Sequence, residues 1–90
     1  MGPQIHDHRF IYHSRGDHTV SFEASDQDTS DGTYHYYGYL SSEGSWIIQR
    51  FEIGADTIAY RYASGVSGYS TAWTGKAALE YKYFNQITEL

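Results

Sequence analysis

The chain of 90 residues contains no cysteine, a single proline and no long apolar run. Without cysteine there is neither a disulfide nor a thiolate zinc site. No stretch approaches the roughly 20 apolar residues of a transmembrane helix, and the first residues lack the pattern of a secretory signal. Six Lys and Arg against eleven Asp and Glu give a net charge of −5, and the cations are scattered. We therefore expect no nucleic-acid partner and no membrane insertion.

Tyrosine is the residue that the chain has in excess, with ten copies. Most of them lie in residues 33–39, 60–62 and 81–84, between turns rich in Gly and Ser. Tyrosine suits strands because its ring covers a half-buried sheet while its hydroxyl reaches water or a partner. The pattern predicts an all-β fold. The surplus of aromatic surface also predicts contact with a ligand or with another protein chain.

Alternating apolar residues predict five or six antiparallel strands, arranged as a small sandwich or as a meander or barrel. We expect residues 1–31 to form an extended N-terminal arm with a short hairpin, and residues 32–90 an aromatic-rich β-domain. The clearest hairpin pairs residues 33–40 with residues 46–53 across a five-residue turn. The acidic residues 24–32 are expected to form a loop. Residues 77–84 are assigned to a last strand, with helix as the competing interpretation.

The strand predicted over residues 46–53 is apolar on both sides. The side that carries Ile47, Phe51 and Ile53 is interpreted as core, and a strand of this kind is typical of a sandwich, a barrel or a subunit contact. The candidates for interface or ligand contact are the following aromatic and apolar residues: Tyr34, Tyr36, Tyr37, Tyr39, Trp46, Ile48, Tyr69 and Trp73. Four of them, Tyr34, Tyr36, Trp46 and Ile48, are expected to meet another protein chain, with a sugar as the alternative.

No pattern typical of catalysis or cofactor binding is present. Gly-x-Ser-x-Gly is absent, and the three Asp before Gly32 miss the register of a calcium loop. Four histidines, His6, His8, His13 and His18, lie close to Asp7, and both metal ligation and a plain polar arm remain open there. The Arg15-Gly16-Asp17 triplet is interpreted as a hairpin turn rather than an integrin motif. We expect no enzyme, no cofactor and no defined metal site.

Two aromatic motifs resemble those of a known group of proteins. The first is YHYYGYLSSEGSWIIQ at residues 34–49, and the second joins AYRYA at 59–63 to YSTAWTGKAALEY at 69–81. Together they resemble small β-rich proteins encoded in the structural gene regions of tailed bacteriophages. The resemblance covers residues 32–87 and departs from the family pattern at Lys76, where Arg is frequent.

The resemblance implies a non-enzymatic virion structural component: a tail, fibre or capsid-surface accessory made in the bacterial host cytoplasm. It implies a homo-oligomer that also contacts other virion proteins. The small size and the lack of disulfides point the same way, because such domains often gain stability by oligomerising. The alternative is a carbohydrate-binding module for host-surface recognition, in which the aromatic rings stack on a host-surface glycan.

Overall fold

The computed structural model describes residues 9–13 and 19–87, with side chains from residue 21 onward. The elements are β1 (Arg9–His13), β2 (Thr19–Asp28), β3 (Tyr34–Ser41), β4 (Trp46–Ile53), β5 (Ile58–Gly65), α1 (Tyr69–Thr74) and two 3₁₀ turns (Lys76–Ala78 and Phe84–Gln86). No described helix is long and apolar enough to cross a membrane. The histidine cluster and the Arg15-Gly16-Asp17 triplet fall mainly on residues 1–8 and 14–18, which lie outside the described residues.

The strands form one open antiparallel sheet in which spatial order follows chain order. The described side chains belong to four of them, β2 to β5, and β1 pairs with β2 at the edge through its backbone. The prediction of a mostly β, antiparallel fold is confirmed. The sheet joins five strands, four of which have described side chains; it is open, and no second sheet packs on it within the described chain, so neither a sandwich nor a barrel is confirmed.

The hairpin predicted from the first aromatic motif is confirmed. Strands β3 and β4 pair from Tyr34 opposite Glu52 to Leu40 opposite Trp46. The connecting turn needs a residue with positive φ, and Gly44 supplies it at 94°. Two buried serines close the turn, since the Oγ atoms of Ser41 and Ser45 lie 2.7 Å apart.

Two segments differ from the prediction. Part of the expected acidic loop is strand: β2 runs to Asp28, with an irregularity between Ala24 and Asp26, because β3 supplies the backbone partners. The strand expected over residues 77–84 is wrong. The chain there runs from one 3₁₀ turn to the other, and its strand-like pairing is a single bridge between Tyr62 and Lys82. Leu79 and Tyr81 pack onto the sheet, and only Lys82 pairs beside it.

Candidate interaction surface

One side of the sheet, called the covered face, is packed against residues 69–81 of the same chain. Its buried residues are Tyr36, Trp46, Ile48 and Ala63, and the residues packed against them are Tyr34, Leu40, Tyr69, Ala72, Trp73, Leu79 and Tyr81. Tyr36 and Trp46 are each 6% exposed, and Ile48 is fully buried. The expectation that these three residues meet another chain is wrong, because they form this chain's own core.

Two glycines allow aromatic rings to lie directly on the backbone of the covered face. A Cβ atom on Gly65 would lie 2.5 Å from Cζ2 of Trp46, so the indole occupies the space that a side chain would fill. The indole Nε1 donates a hydrogen bond of 2.7 Å to the carbonyl oxygen of Ser67. On β3, a Cβ on Gly38 would lie 3.0 Å from the ring of Trp73. The missing side chain at Gly38 therefore lets Trp73 of the C-terminal segment (residues 69–87) lie close to β3, and the one at Gly65 lets Trp46 lie over β5.

The covered face also carries all the charged side chains of strands β2 to β5. Directly opposed residues of neighbouring strands share a face, and the register places these residues together: Glu23, Asp26, Asp28, Arg50, Glu52 and Arg61. The guanidinium carbon of Arg50 lies 4.7 Å from the ring centre of Tyr34 and 4.2 Å from that of Tyr81. Arg50 also pairs with Glu52. The planar cation is thus held between two rings beside a carboxylate.

The C-terminal segment is anchored to β2 by two polar contacts. The Tyr69 hydroxyl donates a 2.8 Å hydrogen bond to Oδ2 of Asp26, and Lys76 Nζ lies 3.1 Å from Oδ2 of Asp28. Hydrogen bonds from Ser30, with a smaller contribution from Lys76, lower the pKa of Asp28 to about 2. Burial raises the pKa of Tyr69, and the hydrogen bond to Asp26 raises it further. These pairings engage Asp26 and Asp28, two of the three charged side chains of β2.

The opposite side of the sheet, called the open face, has no charged side chain on the described strands. It consists of Phe22, Ala24 and Gln27 on β2, His35, Tyr37, Tyr39 and Ser41 on β3, Ile47, Gln49, Phe51 and Ile53 on β4, and Ile58, Tyr60, Tyr62 and Ser64 on β5. Phe22 and Ile47 are fully buried at one end. Toward the other end Ile58 is 50% and Tyr60 45% exposed. Apolar surface therefore reaches solvent where a sheet usually presents charge.

Three aromatic rings form a ladder across the middle of the open face. The ring centres of Tyr37 and Phe51 are 4.9 Å apart, and those of Phe51 and Tyr60 are 4.6 Å apart. Neighbouring planes are tilted by 49° and 53°. Tyr62 extends the aromatic surface and meets Phe84 of the C-terminal segment edge-on at 5.0 Å. The ladder crosses β3, β4 and β5, so it is a continuous surface and not a set of scattered rings.

The structure separates the predicted contact residues into two groups. Tyr37 and Tyr39 lie on the open face, whereas the half-buried Tyr34, Tyr69 and Trp73 pack on the covered side with the core. Sequence reasoning missed Phe51, Ile53, Ile58 and Tyr60 as surface residues, and it placed Phe51 and Ile53 in the core. The available signal was the lack of Asp, Glu, Lys and Arg at every second position of consecutive strands.

No arrangement typical of an active site appears in the described part of the chain. A cleft of about 260 Å³ lies beside β5, between Trp46, Ala63 and Ser64 on the sheet and Leu79, Glu80 and Lys82 on the C-terminal segment. The acidic and basic side chains that line it, Glu80 and Lys82, are both exposed. Among residues 9–13 and 19–87, no group of three or more His, Cys, Asp or Glu could hold a metal ion.

Comparison of the chain with protein-family models, with curated proteins and with solved structures found no match. The resemblance of the two aromatic motifs to phage structural proteins therefore stays a prediction. The open face is the candidate functional surface on the geometry of this chain alone.

Proposed function

We propose that this chain is a non-enzymatic structural subunit that assembles through protein–protein contacts made by its open face. One observation carries the proposal: the charged side chains of β2 to β5 lie on the face that the chain covers itself, and the open face has none. Antiparallel sheets with one solvated face normally place polar residues on that face. Large contiguous apolar patches on soluble proteins mark interaction sites. In this chain the charged residues of β2 to β5 lie on the covered face and the solvated face has none, which is the arrangement expected of a sheet that binds a partner.

The motif resemblance supports a narrower form of the proposal, a virion component of a tailed bacteriophage. Such a subunit would be made in the host cytoplasm, reside in the virion and contact other virion proteins. The motif residues Tyr36, Trp46, Trp73 and Tyr81 belong to the covered face. The same motifs also supply Tyr37 and Tyr60 of the ladder, so they bear on both the core and the proposed contact surface.

Carbohydrate binding is less well supported by the same surface. A ring that stacks on a sugar must present a free, flat face, and small-ligand sites add a few precisely placed polar groups. In the ladder, neighbouring rings tilt by 49° and 53°, so they do not form one flat platform. The polar groups near the ladder include Gln49, whose amide already donates a hydrogen bond to the Tyr62 hydroxyl. A tilted, mainly aromatic surface fits the side chains of a protein partner better.

Light scattering over a range of concentrations, combined with co-sedimentation against virion proteins, tests the proposal. We expect the purified protein to self-associate or to bind a structural protein, and Tyr60→Ala to weaken that association. A strict monomer at high concentration that binds no virion protein would show the proposal to be wrong. A glycan array with binding that Tyr60→Ala abolishes would favour the carbohydrate alternative.

A further inference from the structure

The geometry points to a second copy of this chain as the occupant of the open face. We propose that two copies pack open face against open face, which gives a two-layer sandwich with one sheet from each copy. The inference rests on the proposed function and names the partner for the same surface. The sandwich that the sequence predicts within one chain would then form between two.

Charge is the first argument for a self-contact. The chain has a net charge of −5, so two copies repel each other where their charged surfaces meet. On the open face of β2 to β5, none of the described side chains is Asp, Glu, Lys or Arg. Two such faces can approach without juxtaposing like charges. A basic partner, by contrast, would find no acidic group on this face to pair with.

The shape of the face is the second argument. A two-fold contact uses the same patch on both copies, so the patch must be complementary to itself. The rings of Tyr37, Phe51 and Tyr60 lie on three neighbouring strands and are tilted to one another by 49° and 53°, so the surface is uneven rather than flat. Side chains of two packed sheets interdigitate in this way, with the sheets about 10 Å apart. Phe51 lies on the middle strand of the three, which puts it near the expected two-fold axis.

The size of the face predicts how strong the dimer is. Strands rise about 3.3 Å per residue and lie about 4.8 Å apart. Strands β3, β4 and β5 have 8 residues each, which gives a projected patch of about 26 Å by 14 Å, or roughly 370 Å². Stable interfaces bury about 800 Å² per partner. The patch is smaller, so we expect a weak dimer whose population depends on concentration and which a larger assembly would reinforce.

Tyr60 is the position for a charge-reversal experiment, because it belongs to the ladder and is 45% exposed. In a dimer of either variant, Tyr60→Lys or Tyr60→Asp, both copies carry the same charge at this position, so like charges face each other across the contact. Val66→Lys is the matched control, since Val66 is 61% exposed, follows the end of β5 and receives the same added charge. Sedimentation equilibrium from about 10 μM to about 1 mM measures the dimer, a range that brackets weak dissociation constants.

We expect the wild type and Val66→Lys to dimerise with similar dissociation constants. Tyr60→Lys and Tyr60→Asp should each raise the constant by about 100-fold, because like charges across an interface cost several kcal/mol. An equimolar mixture of Tyr60→Lys and Tyr60→Asp should associate again. Circular dichroism checks the fold. If a charged variant unfolds, Tyr60→Ser replaces it, with an expected weakening of at least about tenfold.

Three results would overturn the inference. The first is a dimer that neither Tyr60→Lys nor Tyr60→Asp weakens, which would mean that assembly uses another surface and would overturn the proposed function as well. The second is a wild type that stays monomeric up to the highest concentration and yet binds a virion protein that Tyr60→Lys does not bind, which leaves the proposed function in place. Failure of the mixture to associate, with both variants folded and monomeric, would likewise refute a contact of open face against open face.

Discussion

Gly65→Ala tests the packing of Trp46 on which the covered face depends. The new methyl group would lie 2.5 to 2.8 Å from three atoms of the indole, which is closer than carbon and nitrogen atoms approach one another. The indole cannot yield freely, because it is 6% exposed and its Nε1 is bonded to the carbonyl oxygen of Ser67. Either the ring or strand β5 must move, and the hydrogen bond to Ser67 is strained or lost.

Three contributions set the size of the effect. Overpacking a core costs about 1–3 kcal/mol, and a lost hydrogen bond costs about 0.5–1.5 kcal/mol. Replacing Gly by Ala restricts the unfolded chain and offsets about 0.4–1 kcal/mol of this, since Gly65 does not have positive φ. The net destabilisation is about 0.5–4 kcal/mol. For a domain of this size each kcal/mol corresponds to about 4–8 °C in the melting temperature.

Gly32→Ala provides the matched control. Nothing lies within 4 Å of a Cβ atom at Gly32, and its φ is not positive, so only the unfolded-state contribution remains. We expect Gly32→Ala to keep or slightly raise the free energy of unfolding. Urea unfolding followed by tryptophan fluorescence and circular dichroism measures both variants. Hydrogen exchange at the Trp46 indole should accelerate in Gly65→Ala alone. Equal stability of the two variants would refute the placement of Trp46 against β5.

Three further predictions address the covered face. Trp73→Ala should lower the free energy of unfolding by about 2 kcal/mol, roughly half the cost for a fully buried ring, because Trp73 is half-buried. Urea titration measures this loss, and a value below about 0.5 kcal/mol would contradict the packing of Trp73 on Gly38. The lowered pKa of Asp28 stabilises the fold above pH 4, and this contribution is lost as the pH falls toward about 2. Melting curves of Asp28→Asn should therefore lose part of the acid dependence between pH 4 and 2, and curves parallel to wild type would argue against it. Burial raises the pKa of Tyr81 and so disfavours its ionisation in the folded protein, which makes stability fall as the pH rises above 10. In an absorbance titration at high pH, the Tyr81→Phe variant should have one late-ionising tyrosine fewer than the wild type.

The β class and the main hairpin were predictable because local patterns specify them. Alternating residues around a turn with Gly44 determine the pairing of β3 with β4, and each strand carries its own period. The C-terminal segment was not predictable in this way. Its rings alternate as in a strand, yet Leu79 and Tyr81 pack against the face of the sheet that carries Trp46 and Ile48. Local pattern cannot distinguish a strand beside a sheet from an irregular segment lying on top of it.

The same limit explains why the candidate surface was assigned to the wrong side. Strand β4 is apolar on both faces, so its own residues cannot tell which face is covered. The charges of the neighbouring strands would have suggested an answer, but only once the register was known. A charged residue is tolerated on a covered face when it gains a partner there, as Arg50 does between Tyr34 and Tyr81. The open face carries no such residues, which is why we propose it as the surface for contact with another chain.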